Sequence, residues 1–163
     1  MRLEAFRFVS ELKNRLRSDL TTAMKARDGL TTATLRLALA AVTNAEVAGT
    51  EAKELSDAEV VAVLQKEVRK RGEAAEAFEN AGRAEQAAKE RAEADVLAGY
   101  LPAPLTDDQI AGLVRNGIDS VTTATGSVPT MRQMGLVVKE VQARAAGRAD
   151  GSRIAAAVKA ALG

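Results

Sequence analysis

Apolar residues recur every four positions between residues 11 and 27, the pattern of a helix with one narrow buried face. Ser10 is expected to cap this helix, and residues 1–10 show no clean period and are expected to form a frayed extension. A second stripe follows Asp28-Gly29, the pair expected to end the first helix, and Thr31 or Thr32 is expected to cap the second. The short connection predicts an antiparallel hairpin. The stripes comprise Leu12, Leu16, Leu20 and Met24, then Leu35, Leu39 and Val42.

The longest predicted helix begins at Ser56-Asp57-Ala58-Glu59, a capping box in which serine and glutamate side chains satisfy free N–H groups. It extends to Gly82, which is expected to adopt the left-handed conformation that ends helices. Gly72 interrupts its apolar stripe. Because a mid-helix glycine costs about 1 kcal/mol relative to alanine, we expect a neighbouring element to approach closely there. Arg83–Tyr100 is predicted to be the next helix. The stripe of the long helix comprises Val60, Leu64, Val68, Ala75 and Phe78.

Charged residues on these two helices are predicted to form solvated faces. Opposite charges four positions apart stabilise a helix by only a few tenths of a kcal/mol, so they do not indicate a site. The glutamates of the helix predicted at Arg83–Tyr100 are not arranged as a cluster of carboxylates. The pairs are Glu67 with Arg71, Glu79 with Arg83 and Glu85 with Lys89, and the further glutamates are Glu90 and Glu93.

The segment Gly99–Leu105 separates two predicted helical lobes, residues 1–101 and 102–163. Pro102 and Pro104 cannot continue a helix and push the preceding residues into extended conformations. Tyr100 and Leu101 are apolar enough to anchor this joint against the first core. We therefore expect a packed corner with a fixed angle between the lobes.

The C-terminal lobe is predicted to be a three-helix bundle. Thr106-Asp107-Asp108-Gln109 is a second capping box, and its helix is expected to end near Val121. Pro129 or Thr130 begins the next helix, which carries Met131 and Met134 on its apolar face and ends at Ala146-Gly147. Asp150 is expected to cap the last helix. The N-terminal lobe is predicted to be a set of helical hairpins with long helices. Together the two lobes predict an all-α chain.

Composition narrows the possible chemistry. The 163 residues include no cysteine and no histidine, which excludes thiolate metal sites, disulfides and Ser/His or Cys/His nucleophiles. Asp107-Asp108 is explained by the preference of a helix N-terminus for acidic residues. We assign no catalytic residue, metal ligand or cofactor. No apolar run approaches the ~20 residues of a membrane span, so the protein is expected to be cytoplasmic and unprocessed.

Positive charge is concentrated at the C-terminus. Residues 131–163 contain six Lys+Arg and two Asp+Glu, whereas residues 1–100 contain 16 and 17. The free N–H groups at the start of the last helix lie beside Arg148 and Arg153 and are expected to bind an anion. A phosphate backbone suits this surface, although scattered solubilising charge explains it equally well. The candidate nucleic-acid-binding residues are Lys139, Arg144, Arg148, Arg153 and Lys159.

Two sequence anchors resemble the YqeY-like family. The first comprises Leu64–Arg71 (LQKEVRKR), Glu76–Arg83 (EAFENAGR) and Tyr100-Leu101-Pro102; the second comprises Met134–Val141 (MGLVVKEV) and Gly147–Gly151 (GRADG). Together they extend the resemblance over about residues 11–163, and Gly72 departs from the polar residue expected at its position. The residues that carry the motif are Tyr100, Leu101, Pro102, Met134, Gly135, Gly147, Asp150 and Gly151.

The resemblance implies an all-helical protein related to the tail domain of the B subunit of tRNA-dependent amidotransferase, a domain thought to hold tRNA. It favours a non-catalytic module that binds tRNA or another structured RNA. One alternative is a protein-interaction module that uses an exposed Ala/Val/Met face of the C-terminal bundle. Another is an accessory role in glutamine-dependent amidation of a tRNA-bound amino acid, a carbon–nitrogen ligase activity with glutamine as amido donor.

Overall fold

Seven α-helices and one 3-10 turn account for the secondary structure of residues 10–163, the part that this computed structural model describes. The all-α prediction is confirmed, and the predicted frayed extension at residues 1–9 lies outside the described residues. The helices are α1 (Glu11–Lys25), α2 (Gly29–Val47), α3 (Asp57–Asn80), α4 (Ala84–Ala98), α5 (Asp107–Thr125), α6 (Met134–Ala145) and α7 (Gly151–Leu162), and the 3-10 turn is Met131–Gln133.

The chain forms two compact units, with the division between Leu101 and Pro102. In the first unit α3 packs along α4, and α1 and α2 pack against each other and against this pair. Leucine, valine and alanine side chains fill its core, and Tyr100 and Leu101 pack against that core. The fully buried members include Leu16, Leu35, Val42, Val60, Leu64 and Leu97.

The second unit consists of α5, α6 and α7, each in contact with the other two. Its core contains only aliphatic side chains among the described residues, mainly valine and isoleucine. Gly117 lets α5 approach α6 closely, since a Cβ placed there would lie 2.9 Å from Val141 Cγ2. Small and β-branched residues thus set the spacing of the bundle.

Side-chain caps fix three helix starts, those of α1, α3 and α5, where the sequence predicts them. Ser10 accepts a hydrogen bond from the Lys13 N–H, and both capping boxes, Ser56 with Glu59 and Thr106 with Gln109, form in full. At the end of α3, Gly82 has the expected positive φ of 73°. Local hydrogen-bond chemistry therefore determines these boundaries.

The start of α2 was predicted wrongly. Asp28, not Thr31 or Thr32, caps this helix: its carboxylate accepts from the Thr31 N–H at 3.0 Å and from the Thr31 hydroxyl at 2.7 Å. The residue that leaves the helical conformation after α1 is Arg27, at φ 56°. Asp28 therefore begins α2 instead of ending α1, because an aspartate is as good an N-cap as a threonine.

Other predicted positions are also corrected. Met24 and Met131 are 50% and 43% exposed and do not belong to the cores. Gly72 is exposed, and an added Cβ would meet nothing within 4 Å, so no neighbour approaches it. The helix predicted to end near Val121 continues to Thr125, because Gly126 supplies the left-handed residue that ends it. Asp150 occupies the N-cap position of α7 but makes no side-chain cap bond.

Glu46 links α1 and the loop before α3 to α2. Lys13 Nζ donates to its Oε1 at 2.5 Å, the Leu55 N–H contacts its Oε2 at 3.4 Å, and the residue is only 8% exposed. The hydrogen bond from Lys13 is the main reason that the pKa of Glu46 is lowered; burial opposes it, and the Leu55 N–H reinforces it. The charged form is therefore the one that stabilises the fold.

Acidification is expected to remove this contribution of Glu46. Because its folded pKa lies below its ordinary value of 4.5, its stabilisation is fully present above that value and is lost as pH falls through the folded pKa. Urea unfolding between neutral pH and pH ~3 should show a shallower loss of stability in Glu46→Gln than in the wild type. Glu51→Gln, at an exposed position, should follow the wild-type curve; equal slopes in all three proteins would contradict this assignment.

Candidate nucleic-acid interface

Two arginines of the predicted basic surface hold the segment that precedes α5. Arg148 Nε donates to the Ala103 carbonyl at 3.1 Å, and the Arg148 carbonyl accepts from the Leu105 N–H at 2.8 Å. Arg153 Nη1 donates to the Leu105 carbonyl at 3.1 Å. Both arginines thus have a structural function in the second unit, and these backbone partners are neutral and do not offset the guanidinium charge.

An aspartate partly neutralises this region. Arg153 Nη2 lies 2.6 Å from Asp107 Oδ1, and the side chains of Arg153 and Asp107 are 39% and 93% exposed. An ion pair this exposed contributes only about 0–1 kcal/mol, so a phosphate can compete with Asp107 for the guanidinium. Asp107, which the sequence assigned to the helix dipole alone, is therefore also a partner of a candidate site residue.

The other three candidate residues are exposed on α6 and α7. Arg144 Nε lies 3.8 Å from Glu140 Oε2, a loose pair on the same helix. Lys139 on α6 and Lys159 on α7 have no carboxylate within 4.0 Å in the described part of the chain. Hydrogen bonds place both Arg148 and Arg153 against residues 103–107. Within residues 10–163, no hydrogen bond or ion pair joins the other three candidates to that segment.

The first turn of α7 retains free N–H groups beside these arginines. Asp150 does not cap it, and Ser152 Oγ instead donates to Asp150 Oδ2 at 3.3 Å. An uncapped helix N-terminus favours anions, although the neighbouring Asp150 carboxylate reduces the positive potential there. Anion binding at this turn stays a prediction.

A buried charge network on α3 and α4 was missed by the sequence analysis. Arg71 Nη1 donates to the Glu67 carbonyl at 3.2 Å and to Glu67 Oε2 at 2.8 Å, and Arg71 Nε lies 3.4 Å from Glu93 Oε2. The three side chains are only 8–13% exposed. The solvated face predicted for these residues is therefore wrong.

The spacing of buried positions carried a signal for this network. Leu64, Arg71 and Ala75 are buried on one face of α3. With Val68 included, these residues follow one another at intervals of four, three and four positions, the spacing of a single helix face. Gly72 was placed on the stripe between Val68 and Ala75, whereas the structure buries Arg71 there and exposes Gly72. Glu79 likewise pairs with Arg91 of α4, not with Arg83 as predicted.

The family model for Yqey-like proteins matches residues 13–162. The chain belongs to the YqeY-like family. A curated relative, "Altered inheritance of mitochondria protein 41, mitochondrial" of Pyrenophora tritici-repentis, is 28% identical over 134 residues, which cover 80% of this chain and 71% of that protein. The resemblance inferred from the two sequence anchors is thereby confirmed.

The residues of the two sequence anchors of this YqeY-like chain pack or form turns in both units. Tyr100 donates its hydroxyl to Asp19 Oδ2 at 2.5 Å, and Arg15 lies 4.7 Å from the ring centroid. Burial, reinforced by the Asp19 carboxylate, raises the pKa of Tyr100 above its ordinary value. The expected anchoring of Tyr100 and Leu101 on the first core is confirmed, and the fixed lobe angle stays a prediction.

The second anchor forms the start of α6 and the turn between α6 and α7. Met134 packs against the core of the second unit, whereas Gly135 is exposed. Ala146 and Gly147 both have positive φ, 49° and 76°, which reverses the chain before Asp150 and Gly151 begin α7. In the part of the chain that the structure describes, no helix is long and apolar enough to span a membrane.

Proposed function

We propose that this YqeY-like protein binds structured RNA, with tRNA as the leading candidate, through the phosphate backbone and the basic surface of its second unit. The observation that carries the proposal is the charge of residues 131–163, whose basic side chains occupy exposed or half-exposed positions on the 3-10 turn, α6, α7 and the turn between α6 and α7. Neighbouring carboxylates compensate it only in part. Phosphate contacts give affinity and orientation without reading sequence.

The composition supports a recognition mode without base stacking. The chain has three phenylalanines, one tyrosine and no tryptophan, and the hydroxyl and ring of Tyr100 already have partners in the first unit. Proteins that bind single strands depend on exposed aromatic platforms. A folded RNA, whose closely spaced phosphates present a fixed shape, is therefore the better ligand for this surface.

The resemblance to the tail domain of the amidotransferase B subunit also favours tRNA, and it assigns chemistry to other domains of that enzyme. The present chain lacks cysteine and histidine and so has no Cys or Ser/His nucleophile for glutamine hydrolysis. We therefore propose that the protein is non-catalytic by itself. Release of ammonia from glutamine by the purified protein would favour the accessory role in amidation instead.

A salt series with total tRNA tests the proposal. If three or four phosphates are contacted, the logarithm of the binding constant should fall with the logarithm of salt concentration at a slope of roughly −3. Arg148→Ala with Arg153→Ala should flatten the slope. Absence of tRNA binding at low salt, or binding that does not depend on salt, would contradict RNA-backbone recognition.

Two further sets of variants separate loss of charge from loss of structure. Arg148 and Arg153 also hold residues 103–107, whereas Lys139→Gln with Lys159→Gln removes two exposed charges and no ion pair of the described chain. The lysine double variant should flatten the slope by up to about 2 while thermal stability is unchanged. Asp107→Asn should strengthen binding, and Asp108→Asn, which removes the same charge from the neighbouring residue, should have the smaller effect.

Exposed apolar side chains near the start of α6 support a second candidate function, protein interaction. Val128, Met131 and Leu136 are 70%, 43% and 50% exposed and all belong to the segment that leads into and begins α6. These side chains are candidates for the exposed Ala/Val/Met face of the C-terminal bundle that the sequence led us to expect. A partner retained through nuclease treatment and high salt by the wild type, and lost in Met131→Asp with Leu136→Asp, would favour this function.

A further inference from the structure

A groove in the first unit lies between α2, α3 and α4. It measures about 450 Å³, within the range of roughly 300–1,000 Å³ that is usual for small-molecule sites. Alanines of α2 and α3, together with the half-exposed Leu37, give it an apolar wall. Its polar lining consists of Asn44, Glu67, Lys70, Arg71, Glu90 and Glu93.

Arg71 gives this groove an unusual donor. Its side chain is more than nine-tenths buried, yet its Nε makes no hydrogen bond, and Glu93 Oε2 at 3.4 Å provides only an ionic contact. Nη1 donates to Glu67 alone, and Nη2 makes no hydrogen bond with the described chain. Nε is sealed from solvent beside Glu93, whereas Nη2 is not among the buried atoms and is therefore the donor of Arg71 that is left for an acceptor bound in the groove.

The charges of the groove lining restrict the kind of ligand that can supply that acceptor. Glu67 is shared between Arg71 and Lys70, whose Nζ lies 3.5 Å from Oε1. Glu90 has no cationic partner within 4.0 Å in residues 10–163, and it leaves the groove with one more negative than positive side chain. A simple anion is therefore repelled, and a simple cation leaves the guanidinium donors unused.

We propose that this groove binds a free α-amino acid as its zwitterion. The carboxylate of the ligand accepts from Arg71 Nη2 and from Lys70, and its ammonium group lies against Glu90. An aliphatic side chain of the ligand packs on Leu37 and the alanine wall. This site belongs to the first unit and does not depend on the proposed RNA binding of the second.

NMR titration of the isotope-labelled full chain tests the zwitterion directly. Leucine should produce saturable shifts confined to the groove, including the Arg71 Nε–H and Asn44 side-chain signals. N-acetylleucine lacks the ammonium group and leucinamide lacks the carboxylate, so each should bind at least about tenfold more weakly, as expected for loss of one charged hydrogen bond.

Variants at exposed or half-exposed positions keep the test independent of folding. Lys70→Gln and Glu90→Gln should each weaken leucine binding about tenfold, whereas Glu85→Gln, on α4 and outside the groove, should not change it. Three outcomes would overturn the proposal: no saturable shift up to about 10 mM leucine, equal binding of leucine and leucinamide, or shifts that persist unchanged in Glu90→Gln.

Discussion

Arg71→Ala is expected to lower the free energy of unfolding by about 3–5 kcal/mol, the usual cost of removing one partner from a buried ion network. The substitution leaves the Glu67 and Glu93 carboxylates, 13% and 9% exposed, without the guanidinium that offsets their loss of hydration. Urea unfolding followed by circular dichroism measures the difference.

Arg69→Ala provides the matched control for this prediction. Arg69 is on the same helix, is exposed and has no ion pair in the described chain, so its loss should change stability by at most about 0.5 kcal/mol. Adding Glu67→Gln and Glu93→Gln to Arg71→Ala should recover part of the loss, because neutral amides are less costly to bury. If Arg71→Ala and Arg69→Ala unfold at the same urea concentration, the network does not stabilise the fold.

Gly117→Ala is expected to destabilise the second unit by about 1–3 kcal/mol. The new Cβ would lie 2.9 Å from Val141 Cγ2 and 3.7 Å from the Val137 carbonyl, and α5 and α6 would have to separate to relieve the overlap. Alanine's higher helix propensity, worth about 1 kcal/mol, offsets only part of this cost. Thermal unfolding of the full chain measures the loss.

Gly112→Ala tests the same substitution five residues earlier in α5. There the nearest atom to an added Cβ is Arg115 Nη2, the flexible end of a side chain, at 3.7 Å. The variant should therefore gain up to about 1 kcal/mol through helix propensity. Effects of the same sign at Gly112 and Gly117 would show that close packing of α5 on α6 is not the reason for the glycine at 117.

Much of the fold was predictable because the signals that set it are local. The capping boxes at Ser56 and Thr106 fix helix starts through hydrogen bonds within four residues, and apolar stripes identify the buried faces. Asp28 shows the limit of such signals. The pair Asp28-Gly29 is compatible with the end of one helix and with the start of the next. Only the left-handed conformation of Arg27 distinguishes the two possibilities.

The charged side chains were harder to place, since their environment depends on residues far along the sequence. Arg71 and Glu93 are 22 positions apart; the spacing along α3 indicates that Arg71 is buried, but nothing near either residue shows that α4 brings Glu93 to it. Arg153 was selected as a candidate RNA contact from its charge and its position at the start of the last helix. Its contacts with Leu105 and Asp107 arise from the packing of α7 beside the start of α5, a tertiary arrangement that no local pattern encodes.

The two hydrogen bonds of the Leu105 backbone link the irregular segment after Pro104 to the turn between α6 and α7 and to the first turn of α7. Its N–H donates to Arg148 and its carbonyl accepts from Arg153, so both its polar backbone groups are satisfied outside any helix. Amide hydrogens exchange with solvent through openings of the structure that protects them. The exchange rate of the Leu105 amide should therefore show how often the contact between this segment and the α6–α7 turn opens.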